Sequence, residues 1–79
     1  MNKERRAELY DVITSLDDAT DRLQDIASEE EEAFDNLPPG LQDGKTGDSI
    51  HSAISQLEEF TSEIENVKQK IEKMAKGGK

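Results

Sequence analysis

The chain has 79 residues, a net charge of −9 from 19 acidic and 10 basic side chains, no cysteine, no tryptophan and one histidine. Disulfides and thiolate zinc sites are excluded, a lone histidine argues against other transition-metal centres, and self-association remains as the added source of stability for so small a domain. The acidic balance also opposes a general nucleic-acid binder, whose affinity rests on Lys and Arg neutralising phosphates.

The N-terminal run Met1-Asn2-Lys3-Glu4-Arg5-Arg6 leads straight into an amphipathic pattern, without the apolar stretch of a signal peptide or membrane span. The expectation is a cytoplasmic protein with no membrane contact. Apolar residues then step three and four apart: Leu9, Val12, Leu16, Ala19, Leu23, Ile26, Ala33 and Leu37, with Glu30 in the one gap. That spacing keeps a stripe on a partner helix over many turns and predicts a helix over residues 3–37, roughly 50 Å long. Pro38 and Pro39 end it, because the residue before a proline is pushed out of the α region.

Residues 38–47 hold both prolines, Gly40, Gly44, Gly47 and Asp43, and read as a loop. Leu41 is its one large apolar residue and is expected to tuck back onto the end of the bundle. A second helix is predicted over 48–76 with Asp48 or Thr46 as N-cap, leaving a tail at 77–79. Its ladder, Ile50, Ala53, Leu57, Phe60, Ile64, Val67, Ile71 and Met74, has no gap.

A short connection between two long helices predicts an all-α, coiled-coil-like antiparallel hairpin, with Leu37 near Ile50, Leu23 near Ile64 and Leu16 near Ile71. With Leu9 at heptad position a, the e positions add Ile13, Thr20, Ala27 and Phe34 on the first helix and Ile54 on the second. A stripe this wide exceeds what a two-stranded seam requires. The expectation is a homodimer, two hairpins forming a four-helix bundle. Its core would take Leu9, Ile13, Leu16, Leu23, Ile26, Phe34, Ile50, Ile54, Leu57, Phe60, Ile64, Val67 and Ile71. Glu30 stands at an a position, where the bundle is expected to splay while Phe34 takes over the packing.

Charge is sorted by end. Between residues 11 and 66 the only basic side chains are Arg22 and Lys45. Lys3, Arg5, Arg6, Lys68, Lys70, Lys73, Lys76 and Lys79 would gather at the end of the rod where both termini lie. Lysines late in the second helix suit its dipole, whereas Arg5 and Arg6 early and Glu29 to Glu32 late in the first oppose theirs. Helix stability alone would not select that order. The acidic row Asp17, Asp18, Asp21, Asp25, Glu29, Glu31, Glu32, Glu58 and Glu59 is therefore a candidate surface for a basic partner, or a mimic of nucleic acid. Arg5, Arg6, Tyr10, Lys73 and Lys76 form an alternative site, where the ring could stack on a base while the cations hold phosphate.

No catalytic or metal site is expected, and no cofactor. Catalytic carboxylates need an enclosed pocket that separates their pKa values, which a slender bundle lacks. The run Asp43-Gly44-Lys45-Thr46-Gly47-Asp48 lacks the ligand alternation and closing Glu of a calcium loop. His51, alone at a b position, is expected to be solvated.

The stretch Glu32-Ala33-Phe34-Asp35-Asn36-Leu37-Pro38-Pro39-Gly40-Leu41-Gln42, with Gly47-Asp48 and Ala53-Ile54…Leu57-Glu58-Glu59, resembles a group of small acidic proteins encoded by phages and prophages. These carry an acidic run, Asn-Leu-Pro-x-Gly-Leu-Gln, then Ala-Ile-x-x-Leu-Glu-Glu. The resemblance covers about the middle third and implies a phage setting and a helical hairpin. The Leu-Pro-Pro turn is also similar to that of helical-hairpin cyclic-nucleotide sponges that phages use against CBASS-type immunity. Here Leu41-Gln42-Asp43-Gly44-Lys45 replaces the Ser-Arg-Glu start of that family, so the cation expected there is missing.

The leading expectation is a non-enzymatic phage or prophage accessory protein that binds a host protein through its acidic surface, as an anti-defence inhibitor or a nucleic-acid mimic, without contacting nucleic acid. A cyclic-nucleotide sponge using the basic end is the alternative, and a purely structural coiled-coil element the second.

Overall fold

The computed structural model describes residues 1–77; Gly78 and Lys79, the end of the expected tail and one cation of the basic end, lie outside them. Two long helices, α1 (Lys3–Asp35) and α3 (Lys45–Gly77), are joined through one short turn of helix, α2 (Pro39–Gln42). α1 and α3 pack along their length as a rod of 58 × 14 × 11 Å. The all-α helical hairpin expected from the periodicity is the fold.

α1 begins where Asn2 caps it, its side-chain Oδ1 accepting from the Arg5 backbone N–H at 2.8 Å. It ends at Asp35, two residues earlier than the expected 37. Leu37 precedes a proline and leaves the α region, and the Asn36 cap N–H closes the last turn on the Glu32 carbonyl at 3.1 Å.

The expected loop over 38–47 is mostly helical. Pro38 is extended, Pro39 opens α2, and the Pro38 carbonyl accepts from Leu41 and Gln42 N–H at 2.9 and 3.1 Å. Gln42 then donates its side-chain amide to the Phe34 carbonyl at 3.0 Å, satisfying an acceptor at the end of α1. α2 turns Leu41 outward, so this residue is exposed and half-buried Gln42 takes the place expected for it.

α3 starts at Lys45, not 48, and runs through Gly77. The Gly44 carbonyl accepts from Asp48 N–H at 3.0 Å, which places Thr46 and Asp48 inside the first turn and not at the cap. Gly47 is buried in that turn, where its missing side chain lets the helix close against Gln42. None of the described glycines has positive φ. Glycine here serves close approach rather than a turn.

The seam within the hairpin is narrower than the apolar stripe. Burial follows positions a and e: Leu9, Ile13, Leu16, Thr20, Leu23, Ala27, Glu30 and Phe34 on α1 are buried or half-buried. Ile50, Ile54, Leu57, Thr61, Ile64, Lys68, Ile71 and Ala75 match them on α3. The d residues Ile26, Phe60 and Val67, expected in the core of a two-hairpin bundle, are 44–48% exposed in the single hairpin and take no part in its seam. Two helices meet along one line only, so an a/d/e stripe cannot be covered whole by a single neighbour. The polar e residues are handled locally: Thr20 and Thr61 bond the Leu16 and Leu57 carbonyls, each at 3.0 Å.

Candidate functional site

Two cross-helix contacts fix the register. Asp17 meets Lys68 at 2.7 Å, and the Phe34 and His51 rings lie 4.3 Å apart, tilted by 52°. Both agree with the expected Leu16–Ile71 and Leu37–Ile50 pairing to within about half a turn. His51 is exposed as expected, yet it covers one side of Phe34. The sequence carried a signal for that contact, since b and e positions flank one side of an a-centred seam.

All nine residues of the acidic row are exposed: Asp17, Asp18, Asp21, Asp25, Glu29, Glu31, Glu32, Glu58 and Glu59. Asp17 is paired with Lys68, which also reaches Glu65 at 3.2 Å, while Lys76 pairs with Glu72 at 3.0 Å within its own helix. Among the described residues none of the other eight has a lysine or arginine within ion-pair distance. By the register, Glu58 and Glu59 lie level with the stretch between Asp25 and Glu29. These eight carboxylates form a belt that runs from the middle of the rod, at Asp18 and Asp21, to the connection.

Within that belt, Glu31, Phe34, Asp35, His51 and Ile54 line an open notch of about 290 Å³ between the two helices. Its floor is apolar and two carboxylates stand at its rim. A lysine or arginine from a partner fits such a notch, the stem on Phe34 and Ile54 and the charge at the rim. Sequence reasoning placed Phe34 in the core and missed this notch, which exists only because the connection brings two e and b rows together.

The hydrogen bond to Asp17, then that to Glu65, holds the Lys68 ammonium above its ordinary 10.5. Glu72 acts on Lys76 in the same direction. A raised lysine pKa adds stability that is fully present below pH 10.5 and is lost as pH rises through the folded-state value. Melting temperature followed from neutral to strongly alkaline pH should therefore fall at the alkaline end. Lys68→Gln should start lower and lose less over that range.

The alternative site is not drawn together. Tyr10 lies near enough to Lys76 to act on its charge. Lys73 and Lys76 share a shallow groove of about 260 Å³ with Gln69 and Glu72, lined by α3 alone. Arg5 is exposed and Arg6 half-buried, and neither lines that groove. Heptad geometry turns Arg5, at d, to the opposite side of the rod from Tyr10, at b. Among the described residues no group of three or more His, Asp or Glu is placed to hold a metal ion, and no helix is long and apolar enough to cross a membrane.

No family model matches the chain, and neither a curated protein nor a solved structure matches it.

Proposed function

We propose that the chain is a non-enzymatic binding protein whose acidic belt docks a protein with a basic surface. The observation that carries this reading is the belt itself: eight exposed carboxylates without an ion-pair partner among the described residues, running from the middle of a narrow rod to its connection. Like charges so gathered repel one another and cost stability, and they give a long-range field that speeds encounter with a cation-rich partner. The notch at Phe34 and His51 supplies what a charged belt alone lacks, a partly apolar seat for one partner side chain. The resemblance of the turn region to phage- and prophage-encoded acidic proteins suggests the setting, a host protein as the partner.

The test is capture from bacterial lysate, with the triple variant Glu29→Lys, Glu31→Lys, Glu32→Lys run in parallel. The wild type should retain a basic protein at low ionic strength and release it as salt shortens the Debye length from about 30 Å to about 8 Å. The triple variant, equally helical by circular dichroism, should retain none. Equal retention by both proteins, or no basic protein held at low salt, would sink the proposal.

A further inference from the structure

The hairpin seam leaves the large d residues of each helix exposed, while the d alanines Ala19 and Ala53 are half-buried. Val12, Ile26, Phe60, Val67 and Met74 are 44–57% exposed, and with Tyr10, Leu41 and Met1 they make up all the exposed large hydrophobic residues among those described. The remaining d positions of the ladders are alanines, Ala19 and Ala33 on α1 and Ala53 on α3. No charged residue interrupts either ladder row; Arg5, also at d, stands beyond the N-terminal end of the α1 row.

The two rows lie on the same side of the rod. With about 100° between successive residues, d sits about 60° from a on the side away from e. Both helices use a and e for the seam, and they run antiparallel. The sense of rotation and the direction of the facing neighbour are thus both reversed in α3, and its d row turns to the same side as that of α1. The result is one apolar face along the length of the molecule.

We infer that this d face is the surface on which a second copy of the chain docks, giving a four-helix bundle. In that bundle the a and e rows hold each hairpin together and the d rows hold the two hairpins to each other. A face 58 Å long and 14 Å across offers about 800 Å², which is what one partner contributes to a stable protein interface. Among the described residues only Ile13 and Ala75 are buried hydrophobic residues of the hairpin, and no side chain is fully buried. Domains of this size without disulfides or metals complete their cores by association. A seven-residue repeat of apolar positions over the whole rod is matched in length and period by another such rod. The large d residues of α3 and the alanines of α1 also suit each other across the face, large against small. None of the nine acidic-belt residues occupies a d position, so the belt stays open in the dimer. This inference does not depend on which partner the belt takes.

Sedimentation equilibrium at micromolar concentration should return twice the 8.8 kDa chain mass. Phe60→Asp should return the single-chain mass, and Ser62→Asp, on the outer face of the same helix, should not. In case Phe60→Asp fails to fold, a second measurement uses the absence of native thiols. The thiol of Val67→Cys should be protected from a soluble maleimide at high protein concentration and should lose protection on dilution, whereas that of Ser62→Cys should react fast throughout. A wild-type mass of 8.8 kDa or of more than two chains, or equal reactivity of the two thiols at high concentration, overturns the inference.

Discussion

Gly47→Ala should destabilise the hairpin, although the position lies inside a helix, where alanine ordinarily gains about 1 kcal/mol over glycine. A Cβ added at Gly47 would lie 2.7 Å from the Gln42 carbonyl carbon and 3.0 Å from its Cα, and would fall onto the carbonyl oxygen. The obstacle is backbone, held by the Pro38 carbonyl on one side and by the Gln42 cap on Phe34 on the other. It cannot swing away as a side chain would. Overpacking of this kind costs about 1–3 kcal/mol, enough to reverse the sign of the propensity term. The neighbouring glycines are the controls. A Cβ at Gly44 would make ordinary contact at 3.5 Å with the Gly40 carbonyl, and one at Gly40 would meet nothing within 4 Å. Urea unfolding should place the midpoint of Gly47→Ala below the wild type and those of Gly40→Ala and Gly44→Ala at or above it. A stabilised Gly47→Ala would mean that α3 does not close against α2.

Ile13→Ala should cost about 2–4 kcal/mol, within the span measured for large-to-small changes in protein cores. Ile13 is the most buried large side chain of the hairpin, 9% exposed, at the end of the seam that also holds buried Ala75. For a domain of 79 residues, total stability is on the order of 4–12 kcal/mol, so the loss is a large share of it. Val12, one residue earlier, is 44% exposed and stands on the d face. Val12→Ala should leave the seam intact and lower the melting temperature mainly by weakening association, so its deficit should depend on protein concentration. Thermal unfolding at two concentrations separates the cases. The Ile13→Ala deficit should be similar at both, and equal concentration dependence for the two variants would mean that the a/e seam and the d face are not distinct.

Much of the fold was legible because helices advertise themselves locally. The three-four spacing of apolar residues and Pro38-Pro39 after the last turn each act within about one turn of chain, and together they placed α1 to within two residues. The connection was misread for a different reason. Pro, Gly and Asp between residues 38 and 47 are turn formers by propensity, yet here Pro39 opens a helix and Gly47 serves a close approach. Propensity does not distinguish a glycine needed for its φ from one needed for its missing Cβ. Leu41 and Gln42 exchanged roles because the short helix α2 sets their direction. The acidic row was visible residue by residue. That eight of its members lack cations nearby, and that Phe34 and His51 open a notch among them, depended on the facing helix.

By itself the sequence determined two long amphipathic helices, their antiparallel pairing about a short connection, and a stripe too wide for one neighbour. These follow from hydrophobic period, capping and chain-breaking residues, which operate over a few residues at a time. The tertiary structure alone decided how that stripe is divided. Positions a, d and e all carry apolar residues, but a helix pair shares one line of contact. The small e residues Ala27 and Ala75 allow that line to fall between a and e, while Phe60, Val67 and Met74 keep the d side out of the seam. Which apolar face is covered within the chain, and which is left exposed, is a property of two surfaces meeting and cannot be read from either one.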